Sequence, residues 1–295
     1  VGFRERQTPY VAALTRCEIL ASPVGMLIEP LSALLTGMAA REAIPQIEVA
    51  VGEGATALVF RVLQPLAEPD LEALRVFERE RGVHVFLQTG GLATVRPLTP
   101  PAPRLAYALP RFDLELEFEP VDFVQVNGAL NRELVGRAID LLGCSAGDRV
   151  LDLFCGLGNF TLALAARGAQ VTGMEGSASL TARGEANARA NGLADLVRFL
   201  TYDLYTDAPG ALGKLGPVDK LLVDPPRDGA MEICKALPDE GGPSRIVYVS
   251  CSPEPLARDA GELVRQHGYR LARAGAMAMF PHTAREEAIA LFAKP

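Results

Sequence analysis

Much of what would sort this chain quickly is missing. No stretch reaches the ~18 uninterrupted apolar residues of a membrane-spanning helix, so no membrane partner is expected. The start, Val-Gly-Phe-Arg-Glu-Arg, shows no signal-peptide pattern. The five cysteines have no regular spacing, which argues against a disulfide framework and suits a reducing cytoplasm. Basic residues are not in excess. The net charge is −7 and the pI near 5.2, which argues against a surface that is nucleic-acid-binding all round but leaves room for a local basic cleft. No internal repeat is visible. There is no initiator methionine, and the opening at Val1 reads as a fragment of a longer protein or a processed one.

What is present is ample apolar material. With 295 residues, 49% of them hydrophobic, the chain can bury a sizeable core and suits two domains of roughly 150 residues each. Residues 1–121 read as a small α+β domain. "QIEVAVGEGATALVFRVLQPL" (46–66) gives two β-like runs around a Gly-Glu-Gly turn, and "EPDLEALRVFERERG" (68–82) a helix with a terminal glycine. "VHVFLQTGG" is a short strand, "LTPPAPRLAYALP" (98–110) a proline-rich loop, and "DLELEFEP" (113–120) a half-exposed strand. From 122 to 295 strands alternate with helices, which predicts an α/β fold with a mostly parallel, doubly wound sheet. Two strands in close succession at the end predict an antiparallel finish.

Three strand ends in this second region carry polar groups. "VLDLFCGLGNF" (150–160) is a strand feeding a Gly-x-Gly turn before a helix, with Gly156 and Gly158 suited to close backbone approach. The third glycine of a dinucleotide site is lacking, so NAD is disfavoured. Glu175 ends the next strand, where a carboxylate can accept from both hydroxyls of a ribose. Asp203, in "TYD", follows the third and can reach an adenine amino group. Each alone reads as a helix cap or a solvated turn. Jointly they predict one adenosine-type ligand along the C-terminal edge of the sheet. In "RIVYVSCSP" (245–253) a thiol, Cys251, stands just past a buried strand, at that same edge.

Taken in order, "FVQVNGALN" (123–131), "DLFCGLGNFTL" (152–162), "LLVDPPRDG" (221–229), "YVSCSP" (248–253) and "MFPHTAREE" (279–287) resemble the RNA uracil-C5 methyltransferases, and within them the branch that methylates 23S rRNA. The resemblance covers roughly 120–295 and extends more weakly through the first 120 residues. It implies a class I S-adenosylmethionine methyltransferase domain with a seven-stranded Rossmann-like sheet, an RNA partner, and a cytoplasmic, monomeric protein. It assigns Cys251 as the nucleophile that adds to C6 of uracil. Glu287 becomes the base that removes the C5 proton, through a His-Thr-x-x-x-Glu pattern in which Glu286 is the competitor. It carries cofactor contacts onto Gln125, Phe154, Asn159 and Asp224, beside Gly156, Gly158, Glu175 and Asp203. It makes Cys17 the last ligand of a [4Fe–4S] cluster whose other three cysteines, with an N-terminal TRAM domain, lie upstream of this sequence, so that Cys17 is expected to be an orphan ligand. Phe123 is open to two readings, stacking on a flipped base or core packing. His282 is expected to be structural. Arg227, Arg258 and Arg285 are candidate phosphate contacts or solvated surface.

Three rivals stand beside this. The tRNA uracil-C5 enzymes share the cysteine and the glutamate. RNA cytosine-C5 enzymes carry a second cysteine after the proline of the fourth-strand motif, where this chain has Asp-Pro-Pro-Arg. A non-catalytic nucleoside- or RNA-binding module would leave the thiol and the carboxylate without a purpose.

Overall fold

A computed structural model describes every residue except 6, 214–216, 239–240, 281–282, 284–285 and 295, and 211 only in its backbone. His282 and Arg285 therefore lie outside the described residues. The chain divides into two compact units, Val1–Ala106 with Glu119–Asp122, and Tyr107–Phe118 with Phe123–Pro295.

The first unit holds α1 (Ile28–Gly37), β1 (Gln46–Val51), β2 (Thr56–Arg61), α2 (Glu68–Arg81), β3 (His84–Gln88) and β4 (Arg96–Pro97). The four strands form one sheet in the order β1-β2-β3-β4. β1 and β2 are an antiparallel hairpin, while β2 and β3 are parallel and need the α2 crossover between them. Helix α2 stops at Gly82, whose φ of 63° lets its N–H return to the Glu78 carbonyl at 3.0 Å. Leu31, Leu58, Phe60, Leu74, Phe77 and Val85 close the core.

The second unit begins with the hairpin β5 (Ala106–Leu109) and β6 (Leu114–Glu117). β5 lies inside the stretch read from sequence as a loop. Three of the prolines that suggest a loop, Pro100, Pro101 and Pro103, precede the strand and Pro110 follows it, while Ala106 and Leu109 between them are buried. The free edge of β6 is paired by side chains. Asn187 exchanges two hydrogen bonds with the backbone of Glu117 (2.9 and 3.0 Å), and Asn191 two with Glu115 (3.0 and 2.8 Å). Those amides occupy groups that an edge strand leaves open.

The main elements follow as α3 (Gly128–Leu142), β7 (Arg149–Leu153), α4 (Thr161–Ala165), β8 (Gln170–Glu175), α5 (Ala178–Ala190), β9 (Val197–Thr201), α6 (Ala208–Gly213), β10 (Lys220–Val223), α7 (Met231–Ala236), β11 (Arg245–Ser250), α8 (Pro253–Arg265), β12 (Arg270–Met277) and β13 (Glu287–Ala293). Seven strands form one sheet in the order β12-β13-β11-β10-β7-β8-β9. The strands from β7 to β11 run parallel, and β13 runs antiparallel to both β11 and β12. The expected seven-stranded α/β sheet with an antiparallel finish is thus present. β11 lies inside it between β10 and β13, with Ile246 to Val249 all buried. No helix among the described residues is long and apolar enough to cross a membrane.

Candidate active site

The parallel strands release their chains at one edge, and a cavity of about 580 Å³ lies there. Its wall takes Phe154, Cys155, Gly156, Leu157 and Asn159 from the loop after β7, and Glu175 from the end of β8. Asp203 and Tyr205 come from beyond β9, Asp224 to Arg227 from beyond β10, and Cys251 from beyond β11. Glu287 is the first residue of the antiparallel β13, so it starts where the parallel strands stop. Phe123 and Gln125 complete the set from the segment before α3. A smaller cavity of about 270 Å³, at the starting ends of β7, β8 and β9, contains none of the candidate residues.

The loop after β7 is shaped by three residues with left-handed backbone, Phe154 (φ 62°), Gly156 (φ 55°) and Gly158 (φ 101°). Phe154 turns its ring onto Tyr205, with centroids 5.5 Å apart. Glu175 clamps this loop: one carboxylate oxygen accepts from Gly156 N–H at 3.2 Å, the other from Ser177 N–H at 2.9 Å. Asp203 accepts from the N–H groups of Tyr205 (3.0 Å) and Thr206 (3.3 Å), which holds Tyr205 in place. Gly158 departs from the expectation of a ligand contact. It is not on the cavity wall, and a Cβ there would meet Phe199 at 3.1 Å and Leu162 at 3.2 Å. Its missing side chain makes room for the core.

Asn159 lines the cavity, but its amide is engaged inward. Its carbonyl oxygen accepts from Tyr107 Oη and Asn131 Nδ2, each at 3.0 Å, and its own Nδ2 donates to Asn131 Oδ1 at 2.9 Å. Tyr107 and Asn131 were not picked out in the sequence. Asn131 lies in the first turn of α3, whose N-cap is Asn127, and nothing in its local sequence distinguishes it from a solvated helix residue. Phe123 is 74% exposed, which removes the core-packing reading.

Cys251 stands one residue past the ladder, at the tip of a tight turn. Ser250 Oγ donates to the Ser252 carbonyl at 2.7 Å, and Ser252 N–H donates back to Ser250 Oγ at 3.1 Å. Burial raises its thiol pKa, as does the Glu287 charge; Arg227 opposes them. Cys155 also reaches the wall but is buried, which pushes its thiol well above the usual range. Cys144, half-buried, is pushed to about 11, and buried Cys234 also moves upward.

Glu287 is only 2% exposed, and desolvation with the nearby Asp224 charge pushes its carboxyl up to about 8. Glu286 is exposed and off the wall. Burial also pushes Asp224 to about 7. Asp152, wholly buried beneath the glycine loop, rises to about 7 although Thr161 Oγ1 donates to it at 2.5 Å. The wall is therefore rich in carboxylates, with Arg227 its one cation among the described residues. Arg258 is occupied elsewhere, by Asp259 and the Asp228 carbonyl.

These groups fit S-adenosylmethionine. A carboxylate at the end of β8 suits a ribose, the Phe154 and Tyr205 rings offer apolar surface, and the carboxylates complement a sulfonium. A half-exposed thiol beside a proton-holding carboxylate also suits nucleophilic addition followed by proton removal. A four-thiolate cluster does not fit. Cys17 sits in the first unit, its N–H bonded to the Gly25 carbonyl at 2.9 Å, and no group of three or more metal-ligating side chains exists among the described residues.

The family model for tRNA (Uracil-5-)-methyltransferase matches residues 111–209. A relative from Cupriavidus necator, the 23S rRNA (uracil(1939)-C(5))-methyltransferase RlmD, is 51% identical over 99% of this chain and 68% of its own length. The chain belongs to the RNA uracil-C5 methyltransferase family. A second relative in this family, the same-named protein of Cupriavidus pinatubonensis, is 50% identical over 99% of this chain and 64% of its own length. The chain thus spans about two thirds of these relatives' length. The Pyrococcus abyssi tRNA (uracil-54, C5)-methyltransferase, solved with S-adenosyl-L-homocysteine, superposes with a TM-score of 0.71 at 21% identity, covering 96% of this chain and 70% of that one. That likeness bears on the fold, which is that of the S-adenosylmethionine-dependent methyltransferases.

Proposed function

We propose that this chain methylates C5 of a uridine in 23S rRNA, with S-adenosylmethionine as donor, and that residues 122–295 carry the chemistry. The observation that supports it most is the meeting of Cys251, Asp224 and Glu287 on one cavity wall, in a chain about half identical to 23S rRNA uracil-C5 methyltransferases. The tRNA reading draws on the family model over 111–209 and is the second choice, because the relatives named for 23S rRNA match 99% of the chain.

Uracil C5 is a poor nucleophile. Cys251, as thiolate, forms a bond to C6, and the displaced electron pair makes an enolate that is nucleophilic at C5. The cofactor supplies an electrophilic methyl group. Once C5 holds both methyl and hydrogen, Glu287 takes the proton, the C5–C6 double bond re-forms and the sulfur–C6 bond breaks. The products are 5-methyluracil, S-adenosylhomocysteine (the donor without its methyl group), a free thiolate and a protonated Glu287. Phe123, exposed at the wall, is placed to stack on a flipped base. Glu175, Asp203, Phe154 and Gly156 hold the nucleoside part of the donor, and Gln125 and Asp224 lie beside both ligands. Cys17 has no part in any step.

Cys251→Ser should bind cofactor but form no covalent RNA adduct. Glu287→Gln should add the thiolate and accept the methyl but retain the C5 proton, so a methylated RNA–protein complex should survive a denaturing gel. Normal turnover by Cys251→Ser would sink the mechanism. Trapping by Glu286→Gln in place of Glu287→Gln would move the base by one residue. Methylation of tRNA but not of 23S rRNA transcripts would select the second reading.

A further inference from the structure

Asp259 is a fully buried carboxylate on α8 that does not line the cavity, and the reaction above gives it no task. One oxygen accepts from the Tyr248 phenol at 2.7 Å and from Ala230 N–H at 2.7 Å. Ala230 N–H also reaches Tyr248 Oη at 2.9 Å. The other oxygen accepts from Arg258 Nε at 2.8 Å, and Arg258 Nη2 donates onward to the Asp228 carbonyl at 2.8 Å. Between these anchors Gly229 passes with φ 79°, so close that a Cβ there would lie 2.7 Å from the Asp259 carboxylate.

The segment fastened in this way is the one that leaves β10 along the cavity wall. Its first end is held by Asp224 N–H on the Leu153 carbonyl at 3.2 Å. Its far end, 228–230, is tied to the rest of the fold by the Asp259 node, beside a local turn in which Gly229 N–H donates to the Pro226 carbonyl at 3.0 Å and the start of α7, where the Ala230 carbonyl accepts from Cys234 N–H at 3.0 Å. Arg227 lies immediately before that node. Tyr248 belongs to β11, the strand that ends just before Cys251. The node therefore ties the backbone beside Arg227 to the strand that presents the thiol. A buried carboxylate is costly unless every bond to it is made, and a merely space-filling role would be served as well by an apolar residue.

We propose that Asp259 is a positioning residue: through Tyr248, Arg258 and the backbone of 228–230 it keeps Arg227 beside the thiol of Cys251. This rests on the reading of Cys251 as the nucleophile. Three charges act on that thiol: Glu287 and Asp224 oppose its ionisation and Arg227 favours it. Asp224 is held by its own bond to β7, so loosening the node displaces Arg227 more and the thiol ionises at higher pH.

The test uses the full chain with Asp259→Asn, Tyr248→Phe, Arg227→Ala and the double variant Asp259→Asn/Arg227→Ala. Alkylation of Cys251 by iodoacetamide is followed across pH by mass spectrometry of its peptide, beside melting and cofactor binding. Each single variant should slow alkylation at pH 8 at least threefold and move the profile to higher pH. The double variant should be no slower than Arg227→Ala, because both changes act through one charge. A lowered melting temperature with an unchanged profile overturns the proposal, and so does additive slowing in the double variant. Should Asp259→Asn not fold, Tyr248→Phe, which removes one hydroxyl, decides on the same readout. Failure of the nucleophile reading is visible separately, as Cys251→Ser that still methylates.

Discussion

In the ligand-free site Glu287 favours its protonated form, and it must lose that proton before it can serve as the proposed base. With its carboxyl pushed up to about 8 and Asp224 to about 7, both hold much of their proton near neutral pH in the empty site. A sulfonium placed among them favours the ionised forms, because a nearby positive charge lowers a carboxyl pKa. Binding of S-adenosylmethionine near pH 7.5 should therefore release protons, and S-adenosylhomocysteine, which has no fixed sulfonium charge, should release fewer. Calorimetry in two buffers of different ionisation heat measures this. Equal release for the two ligands would mean that the sulfonium does not sit by these carboxylates. Glu287→Gln should reduce the difference.

At the scale of elements, the loop after β7 assigns different work to its two glycines. Gly158 packs against Phe199 and Leu162, with a φ of 101°. Gly156 has open space where a Cβ would go and lies on the cavity wall. Gly156→Ala should cost about 1–2 kcal/mol for left-handed backbone. Gly158→Ala should add to such strain the cost of crowding, about 1–3 kcal/mol. Urea midpoints should fall further for Gly158→Ala, and cofactor affinity further for Gly156→Ala; the reverse order would exchange their roles. The central parallel strands β10 and β11 were legible in the sequence because each is an apolar run that gives way abruptly to a polar or reactive residue, at Val223-Asp224 and Ser250-Cys251. Strand β5 was hidden by the prolines on either side of it. Asn131 and Asp259 were hidden for another reason. Each is a polar residue on an amphipathic helix, and sequence alone does not separate a solvated face from a bond made across the fold.

Over the whole molecule, Asp152, Asp224 and Glu287 tie stability to pH. The folded state holds their protons to about 7, 7 and 8, whereas unfolded carboxyls release them near 4. Between those values the folded state binds more protons, so the stability present below about pH 4 is lost as pH rises through 7 to 8. The unfolding free energy of the ligand-free chain, read from urea titrations, should fall between pH 6 and 9 by an amount on the order of a few kcal/mol. Glu287→Gln should show a smaller fall; parallel curves for the two proteins would remove Glu287 from this account. The antiparallel course of β13 has one more effect. Glu287 is part of the ladder, paired with Met277, so the sheet itself fixes its aim. Cys251 hangs one residue beyond its ladder, in a turn. Of the two groups proposed to react, one is bolted down and the other is on a short tether. In the proposed cycle the sulfur travels to the ring carbon and back, while the carboxylate stays still and waits for the proton to come to it.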